Sequence, residues 1–188
     1  MTIKCSVFIA ISLDGFIARE DGSIDWLMKA NGLAPAGENG GYSDFIADVD
    51  AIIMGRHSFD MVKTFAPWPY TLPVIVLSRQ ELDIPDALKD KVSNSSESPL
   101  ALRKRLSHQG MSHLYIDGGV TVQRFLDAKC IDELIITIIP VLLGKGRRLF
   151  GDLTQDIHLQ LINSRVLGGV FTQMHYRVLR NGINHAAT

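Results

Sequence analysis

Apolar, β-branched residues along the chain gather into short runs separated by turn-forming residues. The runs are Ile3–Ile11, Ala51–Met54, Val74–Leu77, Leu114–Ile116 and Leu134–Val141. Near-continuous hydrophobic runs of this length predict strands buried on both faces, as in a parallel or mixed sheet under helical cover. Helical spacing fills the intervals. Residues 97–109 place Pro99 in a first turn, Leu100, Leu102 and Leu106 on a buried side, and Gly110 as a stop. Val120–Ala128 sets Val122, Phe125 and Leu126 at helical spacing, and a shorter helix is predicted over Tyr42–Val49. From Val170 to Val178 the period is two, and Gly168-Gly169 turns this segment back on a strand that begins at Leu159 and Leu161. The predicted class is α/β: a mixed, mainly parallel central sheet flanked by helices, ending in an antiparallel hairpin.

Length and composition narrow this picture. A chain of 188 residues, 46% hydrophobic and 21% charged, suits one globular domain with a real core. We expect that domain over residues 1–180 and a disordered tail over 181–188. Two stretches, Lys29–Gly41 and Phe65–Pro73, read as irregular loops, either plain surface or a mobile border to a pocket. Nineteen basic against twenty acidic residues leave no global field for nucleic acid or an anionic membrane. No apolar stretch approaches the roughly 20 residues that span a bilayer. The N-terminal run ends early at Asp14-Gly15 and reads as a first strand rather than a signal peptide. Cys5 and Cys130 lack metal or redox spacing and read as buried thiols. A cytoplasmic protein is expected.

The chemistry concentrates where strands end. Met54-Gly55-Arg56-His57-Ser58 carries a strand into a helix, bringing free backbone donors, a guanidinium and a hydroxyl to one positive helix terminus. Its plainer interpretation is a turn with Ser58 as N-cap. Val74–Leu77 opens onto Ser78-Arg79, a second hydroxyl and guanidinium at the edge where open α/β sheets bind ligands. Ile116-Asp117-Gly118-Gly119-Val120-Thr121 is a third end of this type, with glycines that allow close approach of a ligand or simply make the turn. Rival motifs fail: no Walker-type loop, no nucleophile elbow, and no pair of the six His residues at metal spacing.

Taken in order, these segments resemble the dihydrofolate reductase-like superfamily, in the branch of the reductase domain of the riboflavin-biosynthesis deaminase-reductase and its stand-alone relatives. The resemblance rests on residues 10–18 (AISLDGFIA), 22–27 (GSIDWL), 54–58 (MGRHS), 74–79 (VIVLSR), 116–122 (IDGGVTV) and 140–150 (PVLLGKGRRLF), and it covers most of the chain. It implies the three-layer fold of that superfamily and NADPH as cofactor. It also assigns roles. Ala10 and Ile17 would meet the nicotinamide carboxamide through their backbones. Arg56, Ser78 and Arg79 would surround the 2′-phosphate, with Leu77 beside them. Gly55, His57 and Ser58 would face the phosphates. Ile116, Gly118, Gly119, Val120, Thr121 and Val122 would line the pyrophosphate, with a cis peptide within Asp117–Gly119.

The substrate side is less defined. Asp44 and Asp25 are the expected catalytic carboxylates, Asp44 foremost, and Asp14, Trp26 and Phe45 the expected substrate contacts, although Asp14 also suits a turn with Gly15. The loop before Asp44 departs from the folate enzymes. The resemblance therefore implies hydride transfer from NADPH to a pyrimidine- or pteridine-like substrate, as in reduction of 5-amino-6-(5-phosphoribosylamino)uracil. Alternatives are dihydrofolate reduction and a non-catalytic NADPH sensor. Lys145, Arg147 or Arg148 would serve a substrate phosphate, and Gly144–Arg148 a homodimer contact. No metal and no zinc-type deaminase domain are expected.

Overall fold

The structure is a computed structural model and describes residues 3–33, 37 and 39–180. The tail expected at 181–188 and part of the 29–41 loop lie outside these residues. Strands β1 (Lys4–Ser12), β3 (Ala51–Gly55), β4 (Val74–Leu77), β5 (Val92–Ser95), β6 (His113–Asp117), β7 (Glu133–Ile139), β9 (Leu159–Leu167) and β10 (Phe171–Val178) form one sheet. Its order is β5-β4-β3-β6-β1-β7-β10-β9. β1 pairs in parallel with β6 and β7, β3 with β4 and β6, and β4 with β5. Only β10 runs the other way, antiparallel to both β7 and β9. The predicted mixed sheet with its closing hairpin is therefore the observed one. A separate antiparallel pair joins β2 (Phe16–Ala18) to β8 (Arg147–Arg148).

Alternation along the central strands explains the helical cover. In β3, Ala51 and Ile53 join a core with Leu102 and Leu106 of α4 (Pro99–His108) and Val122, Phe125 and Leu126 of α5 (Gly119–Asp127). Ile52 and Met54, one position out of phase, join a second core with Phe59 and Val62 of α3 (Arg56–Val62). Successive strand side chains point to opposite faces, so a run apolar at every position demands helices on both sides. A third cluster packs Trp26 and Ala30 of α1 (Asp25–Asn31) against Ile139, Leu167 and Phe171.

Ser98 caps α4, its hydroxyl accepting from the Ala101 amide at 3.3 Å, with Pro99 following in the first turn. Leu100, expected inward, is 61% exposed. It sits about 200° around the helix from Leu102, whereas Leu102 and Leu106 share the i, i+4 face. The two cysteines are buried free thiols, and burial pushes Cys5 up to about 12.

Asp14 shows how the loop after β1 is held. Its carboxylate accepts from Ser12 Oγ at 2.6 Å and from the Leu143 and Gly144 amides at 3.1 and 2.7 Å. The Ser12 hydroxyl, ahead of those amides, holds the carboxyl down at about 2. Asp14 thus forms the turn, the role its position beside Gly15 also suits. Asp14→Ala is expected to speed exchange of the Leu143 and Gly144 amides roughly tenfold or more, read by hydrogen–deuterium exchange. Unchanged protection would show the loop to be held by other contacts.

Candidate active site

Parallel strands present their carboxyl ends to one edge of the sheet, and there the chain forms a cleft of about 1330 Å³. Gly55 ends β3, Leu77 ends β4 and Asp117 ends β6, and all three line it. Two helices begin at this edge with their first amides uncapped by any side chain. α3 starts after Gly55, an extended residue with φ −84°, and α5 starts after Gly118, with φ +87°. Ser58 is therefore the third residue of α3 and not its cap. Free amides and the positive ends of two dipoles favour anionic groups.

The floor has no room for side chains. A Cβ on Gly118 would lie 2.5 Å from Ser58 Oγ, one on Gly119 2.7 Å from the Arg148 carbonyl oxygen, and one on Gly55 2.9 Å from Thr121 Oγ1. The turn at Asp117–Gly119 is built by the positive φ of Gly118, in trans. The expected cis bond there is not found, and among the described residues the cis peptide is Ala66–Pro67.

Around this floor the cleft carries several cations, with Asp21 and Asp60 alongside them. Arg56, His57, Arg124, Arg147 and Arg148 all line it. Arg56 donates to Gln80 Oε1 and pairs with Asp60 at 3.5 Å. Arg148 lies over the Phe16 ring at 4.6 Å, and Arg147 packs against Gly22 while donating to the Glu20 carbonyl. The β2–β8 ribbon therefore carries two guanidinium groups to the cleft rim.

The other half is aromatic, with one enclosed carboxyl. Asp117 keeps a partly accessible surface toward the cleft. Burial nevertheless pushes its carboxyl up to about 6, only partly offset by the Gly118 amide and the Tyr115 hydroxyl. Tyr115 Oη donates to the Phe8 carbonyl at 2.8 Å and stands 3.4 Å from Asp117 Oδ1. Tyr42 and Tyr70 also line the cleft; both hydroxyls are pushed up, by burial first and then by the Asp117 charge. A perturbed acid in a cleft, surrounded by phenols, has the character of a proton-handling group.

Of the residues singled out in the sequence, Ala10, Ile17, Gly55, Arg56, His57, Ser58, Leu77, Gly118, Gly119, Val120 and Thr121 line this cleft. Ile116 and Val122 are buried in the core beneath it. The Ser78 hydroxyl closes a local turn, accepting from the Gln80 amide and donating to its carbonyl, and Arg79 is exposed outside the cleft wall. On the substrate side the expectations shift. Asp44 is exposed on α2 (Tyr42–Ala47) and outside the wall, because Tyr42, Phe45 and Ile46 take the inward helical positions. Phe45 supports the wall from behind, packing on Phe8 and Tyr115 at ring distances of 5.0 and 5.3 Å. Asp25 is engaged by Arg19 at 2.5 Å, which holds its carboxyl down at about 2, and Trp26 of α1 is buried against Ile139, Leu167 and Phe171. Neither lines the cleft.

The site residue that the sequence reading passed over is Asp117. Its signal was present, since a carboxylate closing an apolar strand directly before Gly-Gly must sit at the floor of any ligand site built there. No group of three or more His, Cys, Asp or Glu is arranged to hold a metal ion among the described residues. No described helix is long and apolar enough to cross a membrane.

Comparison with known proteins agrees with this architecture. The model of the RibD C-terminal domain matches residues 4–172. The Bacillus subtilis (strain 168) protein YwjB, itself uncharacterized, is 40% identical over 179 residues, covering 94% of this chain and 98% of YwjB. A crystal structure of a Shewanella sp. PV-4 protein, provisionally named for riboflavin biosynthesis, is 40% identical with a TM-score of 0.87, covering 95% of this chain and all of that one. The Thermotoga maritima diaminohydroxyphosphoribosylaminopyrimidine deaminase/5-amino-6-(5-phosphoribosylamino)uracil reductase shares the fold at a TM-score of 0.71 and 13% identity, this chain covering 57% of its length. With its dihydrofolate reductase-like sheet and a family match over nearly its whole length, the chain belongs to the RibD C-terminal domain family.

Proposed function

We propose that this protein is an NADPH-dependent reductase that transfers hydride to a pyrimidine- or pteridine-like substrate. The observation that carries this reading is the joining, in one cleft, of a glycine floor beneath two uncapped helix ends and an enclosed carboxyl at the next step along the sheet. The residues present fit a dinucleotide: Gly118 and Gly119 line the cleft with their bare backbone, and Ser58, Thr121 and the α3 and α5 amides offer donors to phosphate oxygens. Arg56 would hold the 2′-phosphate. Bound NADPH would supply the hydride. Asp117 delivers the accompanying proton to the nitrogen or oxygen of the reduced C=N or C=O bond and is reprotonated from solvent. Tyr115, anchored on Phe8, orients that carboxyl, and the aromatic wall fixes the ring and excludes water.

Arg56→Ala tests the cofactor half. NADPH affinity should fall roughly 10–50-fold, the range of a lost charge-assisted contact, with NADH affinity little changed. Titration of each nucleotide by its fluorescence reads this directly. Equal losses for both would remove the 2′-phosphate assignment. Binding of NADPH without oxidation in the presence of any reducible heterocycle would favour a sensor instead.

The same reading places the protein in the cytoplasm as a homodimer. β9 supports the pairing: it is a nine-residue edge strand on which Leu161, Ile162 and Val166 are exposed. Edges of this kind are otherwise covered or charged. Arg147 and Arg148 are already engaged within their own chain, so the contact is assigned to β9 rather than to residues 144–148.

A further inference from the structure

The arginines that line the cleft come from α3, α5 and β8: Arg56 is tied to Gln80 and Asp60, Arg147 to the Glu20 carbonyl and Arg148 to the Phe16 ring, with Arg124 beside them on α5. The aromatic and apolar wall is formed by Phe8 of β1, Tyr42 of α2, Phe65 and Tyr70 from the segment between α3 and β4, and Leu167 and Phe171 at the β9–β10 turn. Its polar groups besides the phenols are Thr137, the Asn39 amide and Asp117, and no Lys or Arg lines it among the described residues. Positions 34–36 and 38, outside the described residues, are Ala, Pro, Ala and Glu and add no cation. The nearby Arg165 is outside the wall and committed, donating to the Gly40 carbonyl at 2.7 Å and to Gln173 Oε1 at 2.9 Å. Gln173, itself buried, ties the same carbonyl to Thr137 Oγ1, so the rim at Gly40 is pinned from two sides.

We infer that the substrate of this cleft is an uncharged nitrogen heterocycle without a phosphate, presenting N–H groups to Asp117 and stacking on the aromatic wall. A phosphate dianion in that half would meet apolar rings and a carboxylate, with no counter-charge to offset its desolvation. An uncharged ring instead satisfies Asp117 and buries against Phe8 and Tyr42 without that penalty. The inference rests on the reductase reading above. It also separates this chain from any enzyme that reduces a phosphoribosylated pyrimidine.

The test uses 5-amino-6-(ribosylamino)uracil with and without its 5′-phosphate. Each is titrated calorimetrically into the intact protein, first alone and then saturated with NADPH, whose own binding is followed by fluorescence. The unphosphorylated compound is expected to bind roughly tenfold or more tightly than its phosphate ester. Asp117→Asn is expected to lose most of that affinity, and Arg165→Ala to leave the ratio unchanged. Tighter or equal binding of the phosphate ester, or binding of neither compound at millimolar concentration, would overturn the inference. Absence of NADPH binding would instead overturn the reductase reading, while the preference within the pair is still read without nucleotide.

Discussion

Asp117→Asn is expected to lower turnover roughly 10²–10⁴-fold, the range for a lost general acid, while making the protein more stable at pH 8. Two effects of opposite sign come from one burial. The carboxyl at about 6 lies above its ordinary 3.8, so folding favours its protonated form. Below about pH 3 both folded and unfolded chains carry it protonated, and no penalty exists. As pH rises from about 3 to 6 the unfolded chain releases its proton first, and stability falls until the folded carboxyl ionises as well. Above that the cost is constant, at most about 3 kcal/mol for a shift of this size. Asn keeps the shape and an oxygen for the Gly118 amide and carries no such cost. Its melting temperature should exceed the wild type by roughly 5 °C at pH 8, the gap closing by about pH 3. Catalysis should show the same group: kcat/KM of the wild type falls as pH rises through about 6, and the variant loses that limb. A variant that melts below the wild type at pH 8 would show Asp117 to be structural.

Such a trade between stability and chemistry also marks where the sequence was readable and where it was not. The five apolar runs lie on central strands because two-sided burial leaves no choice of residue type. The glycines after β3 and β6 were legible for a related reason: only close approach explains them at strand ends. β5 was not legible, for its sequence Val-Ser-Asn-Ser buries two positions at a sheet edge and carries almost no hydrophobic signal. The β2–β8 ribbon was equally silent, being three residues paired to two. Asp44 illustrates a different limit. A helix of six residues has too few turns for its facing to be read from sequence, and Tyr42, Phe45 and Ile46 competed successfully for the inward side. Asp117 lay inside a motif whose glycines drew the attention, and its role emerges only when Tyr42, Tyr70 and Tyr115, distant in sequence, converge on it.

Gly118→Ala should remove nucleotide binding almost entirely, by roughly 100-fold or more, because strain and steric block coincide there. Its φ of +87° with ψ of 142° lies in a region that L-residues avoid. That alone costs about 1–3 kcal/mol. The added methyl would also lie 2.5 Å from Ser58 Oγ and 3.7 Å from Ser58 Cβ, so the Ser58 side chain must shift. Ser58 belongs to α3 and Gly118 to the cap of α5, so the methyl would displace the hydroxyl that α3 offers beside the α5 terminus. Strain and blockage are separable with Gly110→Ala. Gly110 has φ +90° and an open surrounding, with nothing within 4 Å of an added Cβ, and it lies beyond α4, away from the cleft. That variant should lose about 1 kcal/mol of stability and keep its NADPH affinity. If both variants melt alike and both still bind NADPH, the Gly118 turn is only a strand-to-helix connection. If Gly118→Ala alone loses the nucleotide while still folding cooperatively, the close packing of Ser58 on the α5 terminus is what shapes the phosphate site.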